Sequence, residues 1–306
     1  LVLENSQSVD KHVPHTFITN HRDIVMDSAF LSISLLDNGF GNTMEIAIGD
    51  NLLIRPWIKK LVRVDKAFIV QRSVSLRQML ASSARLSRYM HYAIATKHEN
   101  IWIAQREGRA KDSNDRTQDS ILKMMAMGGE GSIIDRLKQL NLVPTALSYE
   151  YDPCDYLKAQ EFQQKRDIEG FKKSPKDDLV NMQTGIFGYK GRICFRVAGP
   201  LNDWLDTLPA DMPKTELFTA VASRIDKEIH RNYKLYAGNY VAADLLRGTQ
   251  EFAAHYTSEE KTRFEAYLES RLEKVTLPNP DTAFLRERLL AMYANPVFNY
   301  MAARQE

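Results

Sequence analysis

The 306-residue sequence contains only two cysteines, Cys154 and Cys194, and they lack the spacing of a zinc site or of a Cys-x-x-Cys motif. Two cysteines cannot build a disulfide framework, so the composition indicates a reducing compartment and buried thiols. Long hydrophobic runs are also missing. The longest apolar stretch, residues 29–36, is interrupted by two serines, whereas a membrane-spanning helix needs about 20 apolar residues. The sequence therefore predicts no transmembrane segment.

An excess of charge of either sign is absent as well. Lys and Arg total 41 against 39 Asp and Glu, which leaves a formal net charge of +2. A protein that binds nucleic acid through its phosphates needs a larger positive charge, so no nucleic-acid partner is expected. With 44% hydrophobic and 26% charged residues, the composition is ordinary for a chain that buries a sizeable core. Any basic binding site must therefore be local.

The first half of the chain alternates short apolar runs with segments of helical length. Strands are expected at Thr16 to Thr19, Glu45 to Ile48, Ala67 to Val70, Ile101 to Ala104 and Val143 to Ser148, and helices near 22–37, 53–62, 73–96, 116–127 and 131–140. This alternation predicts an α/β fold with a central, mostly parallel sheet flanked by helices.

The second half has a different pattern. Two apolar runs within 186–197 flank a short turn that contains Gly191, which predicts a β-hairpin. The charged run 172–178 is interpreted as an exposed loop and a helix start. From Lys214 onward, apolar residues recur at helical spacing, with helices near 258–275 and 283–303. We therefore predict an α/β core over 1–213 and a helical C-terminal extension over 214–306 that packs on it.

His21 lies where the first predicted strand meets the first predicted helix, and Asp23 and Asp27 follow it closely. A histidine beside a carboxylate can act as a general base, because the acid fixes the ring tautomer and stabilises the imidazolium. The simpler interpretation is a capping or core histidine. A metal site is not expected, because His21 has no second histidine at helical ligand spacing.

Three further predicted strands, within 66–72, 101–111 and 142–150, also run from apolar into polar residues. Carboxyl ends of parallel strands share one crevice, so side chains after these strands can converge on His21. The candidates are Arg72, Glu107, Arg109 and Lys111. A histidine base among arginines is typical of a site for a phosphorylated alcohol. Taken singly, Arg72 could equally be a surface residue, and Glu107 could support the helix start after residues 112–115.

In this order, the four segments resemble the four blocks of the glycerolipid acyltransferase superfamily, which includes glycerol-3-phosphate and lysophosphatidate acyltransferases. The family blocks are Asn/Cys-His-x4-Asp, an apolar strand ending in Arg, a Glu-Gly-x-Arg loop and a Val-Pro strand. Segments 67–72 and 144–150 are more similar to the glycerol-3-phosphate branch. The resemblance covers about residues 16–150 and leaves the C-terminal helices without a motif.

The first block departs from the family pattern in its spacing. Asp27 is six positions after His21, one more than in the family, whose matching position here is Met26. Either the loop bulges by one residue, or Asp23 takes the orienting role instead.

The third block departs as well. Glu107-Gly108-Arg109 lacks the spacer residue of the family loop, and Arg106 precedes the Glu where the family often has Pro. The choice of phosphate ligands among Arg106, Arg109 and Lys111 therefore stays open at this point.

The resemblance implies an O-acyltransferase of phospholipid biosynthesis. It would move a fatty acyl group from acyl-CoA or acyl carrier protein to a hydroxyl of glycerol 3-phosphate or lysophosphatidate. His21 would be the general base and Asp27 its orienting group, and the phosphate would be held by Arg72, Glu107, Gly108, Arg109 and Lys111. No cofactor and no metal are implied. Because lipids are substrates and products, peripheral association with the cytoplasmic membrane face is expected.

Two other functions fit the same residues. One is the same chemistry on an acceptor without phosphate, such as an acylated amino acid, which would not need the arginines. The other is a non-catalytic lipid-binding or scaffold protein, which the lengthened spacing between His21 and Asp27 allows.

Overall fold

The computed structural model describes residues 1–53, 56–71 and 76–305. Within these residues, seven strands form one sheet in the order β1-β7-β6-β2-β5-β3-β4. The strands are β1 (Val2–Glu4), β2 (Thr16–Thr19), β3 (Glu45–Gly49), β4 (Ala67–Val70), β5 (Ile101–Ala104), β6 (Leu142–Tyr149) and β7 (Ile193–Val197). The five strands expected from the apolar runs are all present, with β3 and β6 slightly longer than predicted.

Helices cover both faces of the sheet. They are α1 (Met26–Asp37), α2 (Pro56–Val64), α3 (Leu76–Ala95), α4 (Asp119–Met125), α5 (Ile133–Gln139), α6 (Asp155–Asp167), α7 (Pro175–Phe187), α8 (Asn202–Leu205), α9 (Lys214–Arg231), α10 (Ala237–Arg247), α11 (Ser258–Leu272) and α12 (Thr282–Gln305). No helix of the described residues combines the length and the hydropathy that crossing a membrane requires. The predicted α/β class with its helical C-terminal part is confirmed.

Strands β2 to β6 run parallel to one another, whereas β7 is antiparallel to β6. Strand β1 pairs with β7 and runs parallel to it. All four residues of β2 and all eight of β6 are buried. Such continuous burial is expected of parallel strands that helices cover on both faces. The carboxyl ends of β2, β3, β4, β5 and β6 therefore share one edge of the sheet, where the site residues follow them.

The two faces of the sheet belong to different hydrophobic clusters. Neighbouring residues of β2 alternate between them, so that Ile18 packs in one cluster and Phe17 in the other. The first cluster includes residues of α9, such as Phe218 and Ile225, and a third cluster joins α10, α11 and α12. Helix α9 thus packs directly on the sheet. The domain boundary at 213/214 stays a prediction.

The hairpin predicted over 186–197 is wrong. Ser174 and Asp177 form a capping box that starts α7, and this helix continues to Phe187. The apolar residues before the turn are therefore the end of a helix, and Gly191 lies in the connection to β7. Strand β7 pairs with β6 and β1 instead. The loop and helix start predicted over 172–178 is confirmed.

Asn20 joins the end of β2 to the middle of β6 through its side chain. Its amide Nδ2 donates to the carbonyl of Leu147 over 2.9 Å, and the Leu147 amide donates to Asn20 Oδ1 over 2.8 Å. The side chain is fully buried. It therefore replaces a backbone partner at the point where the two strands separate toward the site.

We expect Asn20→Ala to lower the free energy of unfolding by about 2–4 kcal/mol, because two buried backbone groups of Leu147 lose their partners. Urea denaturation followed by circular dichroism measures the change. The control is Asn42→Ala at an exposed position, for which about 0.5 kcal/mol or less is expected. Equal losses in the two variants would contradict this role of Asn20.

Candidate active site

His21 and Asp27 lie in direct contact. His21 Nδ1 is 2.7 Å from Asp27 Oδ2, and the imidazole edge packs against Trp102 with 5.5 Å between ring centroids. An ionised carboxylate only accepts hydrogen bonds, so this contact requires the proton on Nδ1 and leaves the Nε2 lone pair available. The His21 side chain is 13% exposed and borders a pocket. It is therefore neither a core nor a capping histidine.

The Asp27 carboxylate is 1% exposed and has four partners. Besides His21, it accepts from the backbone amides of Arg22 at 2.7 Å and of Asp23 at 3.0 Å. Its Oδ1 accepts from the Tyr149 hydroxyl over 2.9 Å. Burial and the charge of Asp27 together raise the pKa of this tyrosine well above its usual range, so it remains a donor. These bonds hold residues 21–25 outside the helix, which is why α1 begins at Met26 and not near residue 22 as predicted.

Asp23 binds the backbone that follows it. Its Oδ1 accepts from the amides of Val25 and Met26, both at 2.9 Å, in a turn that takes up the additional residue between His21 and Asp27. Burial and the charge of Asp27 raise the pKa of Asp23. A Cβ added to Gly185 of α7 would lie 2.0 Å from Asp23 Oδ2, so only glycine leaves room for this carboxylate. Of the two acids considered, the structure brings Asp27 to the imidazole.

Arg22 forms a buried ion pair with Asp115. Two guanidinium nitrogens donate to the two carboxylate oxygens over 2.8 and 2.6 Å. Tyr233 donates its hydroxyl to Asp115 Oδ2 over 2.5 Å, and His230 Nε2 lies 2.9 Å from the Asp115 carbonyl. Burial lowers the pKa of Arg22, but the attraction of Asp115 outweighs this and leaves the pKa raised. This pair ties the loop after β2 to the loop after β5 and to α9.

Lys158 of α6 supports the same loop from another side. Its side chain is 1% exposed, pairs with the Asp152 carboxylate, and donates to the Arg22 carbonyl over 3.0 Å. Burial alone would raise the pKa of Asp152, but Lys158 lowers it below its usual value. The backbone on both sides of Arg22 is therefore held by charged groups that are themselves paired.

His21 is among the residues that line a partly open, mostly apolar pocket. Its apolar walls come from five parts of the chain: Ile24 and Val25 before α1, Ile46 and Ile48 of β3, Ile58 and Val62 of α2, Trp102 and Ala104 of β5, and Met182 and Ile186 of α7. Arg106 and Gly108 also border it. Gly108 has a φ of +69°, a conformation that favours glycine. The pocket can bury an apolar chain whose polar end stops at His21.

Arg106 and Arg109 each have an unpaired guanidinium nitrogen within the described residues. Arg106 Nε and Arg109 Nη1 are buried and have no hydrogen-bond partner within residues 1–53, 56–71 and 76–305. Arg109 Nη2 donates to Asn181 Oδ1 over 3.1 Å. The charge of Arg109 reaches Asp23, because it lowers the pKa of that carboxyl against the effect of burial. Both arginines therefore have donors for an anionic group, and Arg106 borders the pocket that His21 also lines.

The remaining predicted ligands differ in their surroundings. Lys111 is paired with Glu161 of α6, and burial lowers the pKa of Lys111 to about 8. Its charge is thus already neutralised. Glu107 has an exposed side chain, and its amide donates to Gln118 Oε1 over 2.7 Å. Arg72 lies outside the described residues.

Several residues of the site escaped the sequence analysis. Tyr149, Asn181 and Glu161 bind the predicted site residues Asp27, Arg109 and Lys111. Asp115 and Lys158 bind Arg22, the neighbour of His21. Only Tyr149 had a signal, because it follows a predicted strand that ends at the same edge as the strand before His21. The others come from segments that no motif linked to the site. No group of three His, Cys, Asp or Glu in the described ranges could hold a metal ion.

We expect Asp115→Ala to destabilise the protein by about 3–5 kcal/mol, because it leaves the buried Arg22 guanidinium without its counter-charge. Tyr233→Phe is the matched control, since it removes one hydrogen bond to the same carboxylate and keeps the ion pair. It should cost only about 1–2 kcal/mol. Chemical denaturation of both variants tests this, and similar losses would show that the ion pair is not the main contribution.

Comparisons with known proteins leave the family open. No family model matches the chain, and no curated protein matches it. Among solved structures, the chain is similar to the crystal structure of PlsC, the 1-acyl-sn-glycerophosphate (LPA) acyltransferase from Thermotoga maritima. The TM-score is 0.39 at 11% sequence identity, over 73% of this chain and 69% of that one. A likeness this distant does not identify a function, so any functional conclusion depends on the geometry of the site.

Proposed function

We propose that this protein is an O-acyltransferase, which moves a fatty acyl group from a thioester to a hydroxyl of a phosphorylated glycerol. The observation that carries the proposal is the His21–Asp27 pair at the border of an apolar pocket, with Arg106 on the same border. A base, an apolar pocket and unpaired guanidinium nitrogens are the three parts that this reaction requires. The resemblance of the four sequence segments supports the same conclusion.

In the proposed reaction, His21 Nε2 accepts the proton of the acceptor hydroxyl as its oxygen attacks the thioester carbonyl. Asp27 stabilises the imidazolium that forms. When the tetrahedral intermediate collapses, the carbon–sulfur bond breaks and the imidazolium returns its proton to the leaving thiolate. Thioesters are activated donors, so positioning and proton transfer suffice without a covalent enzyme intermediate.

The cysteines do not offer a better nucleophile. Burial raises the pKa of Cys154 to about 12, and its Sγ donates to the Asn181 carbonyl. Burial also raises the pKa of Cys194, to about 11. Only a thiolate attacks efficiently, and these two thiols remain protonated at neutral pH. We therefore propose proton transfer by His21 and not nucleophilic attack by a cysteine.

For the acceptor phosphate, the unpaired nitrogens of Arg106 and Arg109 favour these two residues over Lys111, whose charge Glu161 neutralises. Gly108 keeps the backbone between the two arginines close to the pocket. Arg72 remains part of the proposal on the strength of its sequence position. Glycerol 3-phosphate and lysophosphatidate both carry the required phosphate, and acyl-CoA and acyl carrier protein both carry the required thioester.

Replacing the proposed base tests the reaction. We expect His21→Ala to lower the acyl-transfer rate about 10²- to 10⁴-fold, the usual loss for a general base. Its thermal midpoint should stay near that of the wild type, since the ring borders a pocket. His12→Ala, at an exposed position, is the matched control and should keep full activity. Wild-type turnover in His21→Ala would contradict the proposal, and a wild type that binds acyl-thioester without transferring it would favour the lipid-binding alternative.

Replacing the arginines tests the acceptor. Loss of one charge-assisted contact costs about 1.5–3 kcal/mol, so Arg106→Ala and Arg109→Ala should each raise the acceptor KM about 10- to 100-fold. The donor KM should change much less. Arg109→Lys should recover only part of the loss, since lysine cannot form the same pair of bonds.

Steady-state kinetics with glycerol 3-phosphate and then lysophosphatidate as varied substrate provide the measurement for these variants. The exposed Arg247 of α10 supplies the control, Arg247→Ala. An acceptor KM that is unchanged in both arginine variants would exclude a phosphate site there and favour an acceptor without phosphate.

A further inference from the structure

Large apolar side chains are exposed at the ends of two helices that line the apolar pocket. Phe187 is 81% exposed at the end of α7, and Tyr189 is 73% exposed just after it. Val64 is 80% exposed at the end of α2. Each follows closely on a residue that lines the pocket, Ile186 on α7 and Val62 on α2. A single exposed apolar residue is ordinary, but three so close in sequence to residues that line one pocket indicate a surface that binds something.

Helix α2 also carries a cluster of positive charge. Lys59, Lys60 and Arg63 are exposed, whereas Ile58 and Val62 face the pocket. The nine residues of α2 include no acidic side chain, although the whole chain carries only +2. The apolar side of α2 thus packs on the protein, and its outer side presents a locally basic surface that attracts an anionic partner. We call the exposed residues Lys59, Lys60, Arg63, Val64, Phe187 and Tyr189 the docking face.

The docking face must be matched with one of three kinds of partner: a second copy of the chain, an acidic protein or an anionic bilayer. A second copy of the chain would bring two cationic α2 helices together, which repel each other. An acidic protein would satisfy the cations, but it would give Phe187 no apolar partner beside an open apolar pocket. An anionic bilayer satisfies both, because its headgroups attract lysine and arginine and its interface accepts aromatic side chains.

We propose that the docking face rests on an anionic bilayer, with the mouth of the pocket turned toward the lipid. The use of the pocket rests on the proposed function: an acyl chain passes between the bilayer and His21 without crossing water. Exposing such a chain to water would be unfavourable in proportion to its apolar area. The docking itself depends only on the six surface residues.

Vesicle flotation tests the docking directly, with phosphatidylglycerol-containing vesicles compared with pure phosphatidylcholine vesicles. The wild type should bind the anionic vesicles more tightly. Lys59→Gln/Lys60→Gln/Arg63→Gln should weaken that binding about 100-fold, since each cation near an anionic surface contributes about fivefold. Phe187→Ser/Tyr189→Ser should weaken it about tenfold through loss of apolar burial.

Matched controls keep these variants interpretable. Tyr92→Ser removes an aromatic ring that is 50% exposed on α3, and Lys214→Gln with Lys274→Gln removes two exposed cations elsewhere. All three substitutions should leave vesicle binding within about twofold, and thermal melts should show that the docking variants remain folded.

Activity on a short, water-soluble acyl-thioester separates the docking proposal from the proposed function. The docking variants should keep the wild-type rate there, because none of their residues borders the pocket. Wild-type protein that does not bind anionic vesicles, or binding that the docking variants leave unchanged, would overturn the docking proposal. The docking proposal would also be overturned if the three cations bind an acidic carrier protein instead of vesicles. A dimer that dissociates in the docking variants would overturn it as well. Vesicle binding as expected without any acyl transfer would support the docking face and refute only the proposed function.

Discussion

The buried carboxylate of Asp27 is the interaction on which the site depends. Burying such a charge is unfavourable unless hydrogen bonds replace its hydration. Here they come from the loop after β2, from Tyr149 at the end of β6 and from the His21 ring. Because Asp27 lies in the first turn of α1, the helix dipole also favours its negative charge. Satisfying one carboxylate therefore fixes the loop conformation, the start of α1 and the orientation of the imidazole together.

Two buried ion pairs hold the loop after β2 in place. The Arg22–Asp115 pair and the Lys158–Asp152 pair act on the same residue, one through its side chain and one through its carbonyl. Buried ion pairs add little net stability, but they penalise any arrangement that separates the partners. Helices α6 and α9 thus contribute to the position of His21 although neither carries a residue of the proposed reaction. The same principle extends outward, since Asp155 of α6 binds Arg271 of α11 and Tyr293 of α12.

The apolar pocket and the polar groups occupy the same edge of the sheet for a topological reason. Five parallel strands end there, so residues that follow different strands can meet in one crevice. The strand interiors supply apolar walls such as Ile46 and Trp102, and the residues beyond them supply His21 and Arg106. A base at the end of an apolar pocket can align a reactive carbonyl without further machinery, because the bound chain restricts where its head can lie. Helices α2 and α7, which line this pocket, also carry exposed apolar residues at their ends.

The local sequence pattern was sufficient to predict the central strands and the pairing of His21 with an acid. The central strands are buried on both faces, so their apolar runs identify them without knowledge of the fold, and the pairing of a histidine with a nearby acid is visible as spacing. The tertiary structure decided the rest. It selected Asp27 over Asp23, matched Arg22 with a residue 93 positions away, and neutralised Lys111 with one 50 positions away. The segment expected to form a hairpin is instead the end of α7 followed by β7, which lies between β1 and β6. A short apolar run alone does not show whether its residues form a helix or a strand. Periodicity and spacing are properties of neighbouring residues, whereas partners, burial and exposure arise only when distant segments pack together.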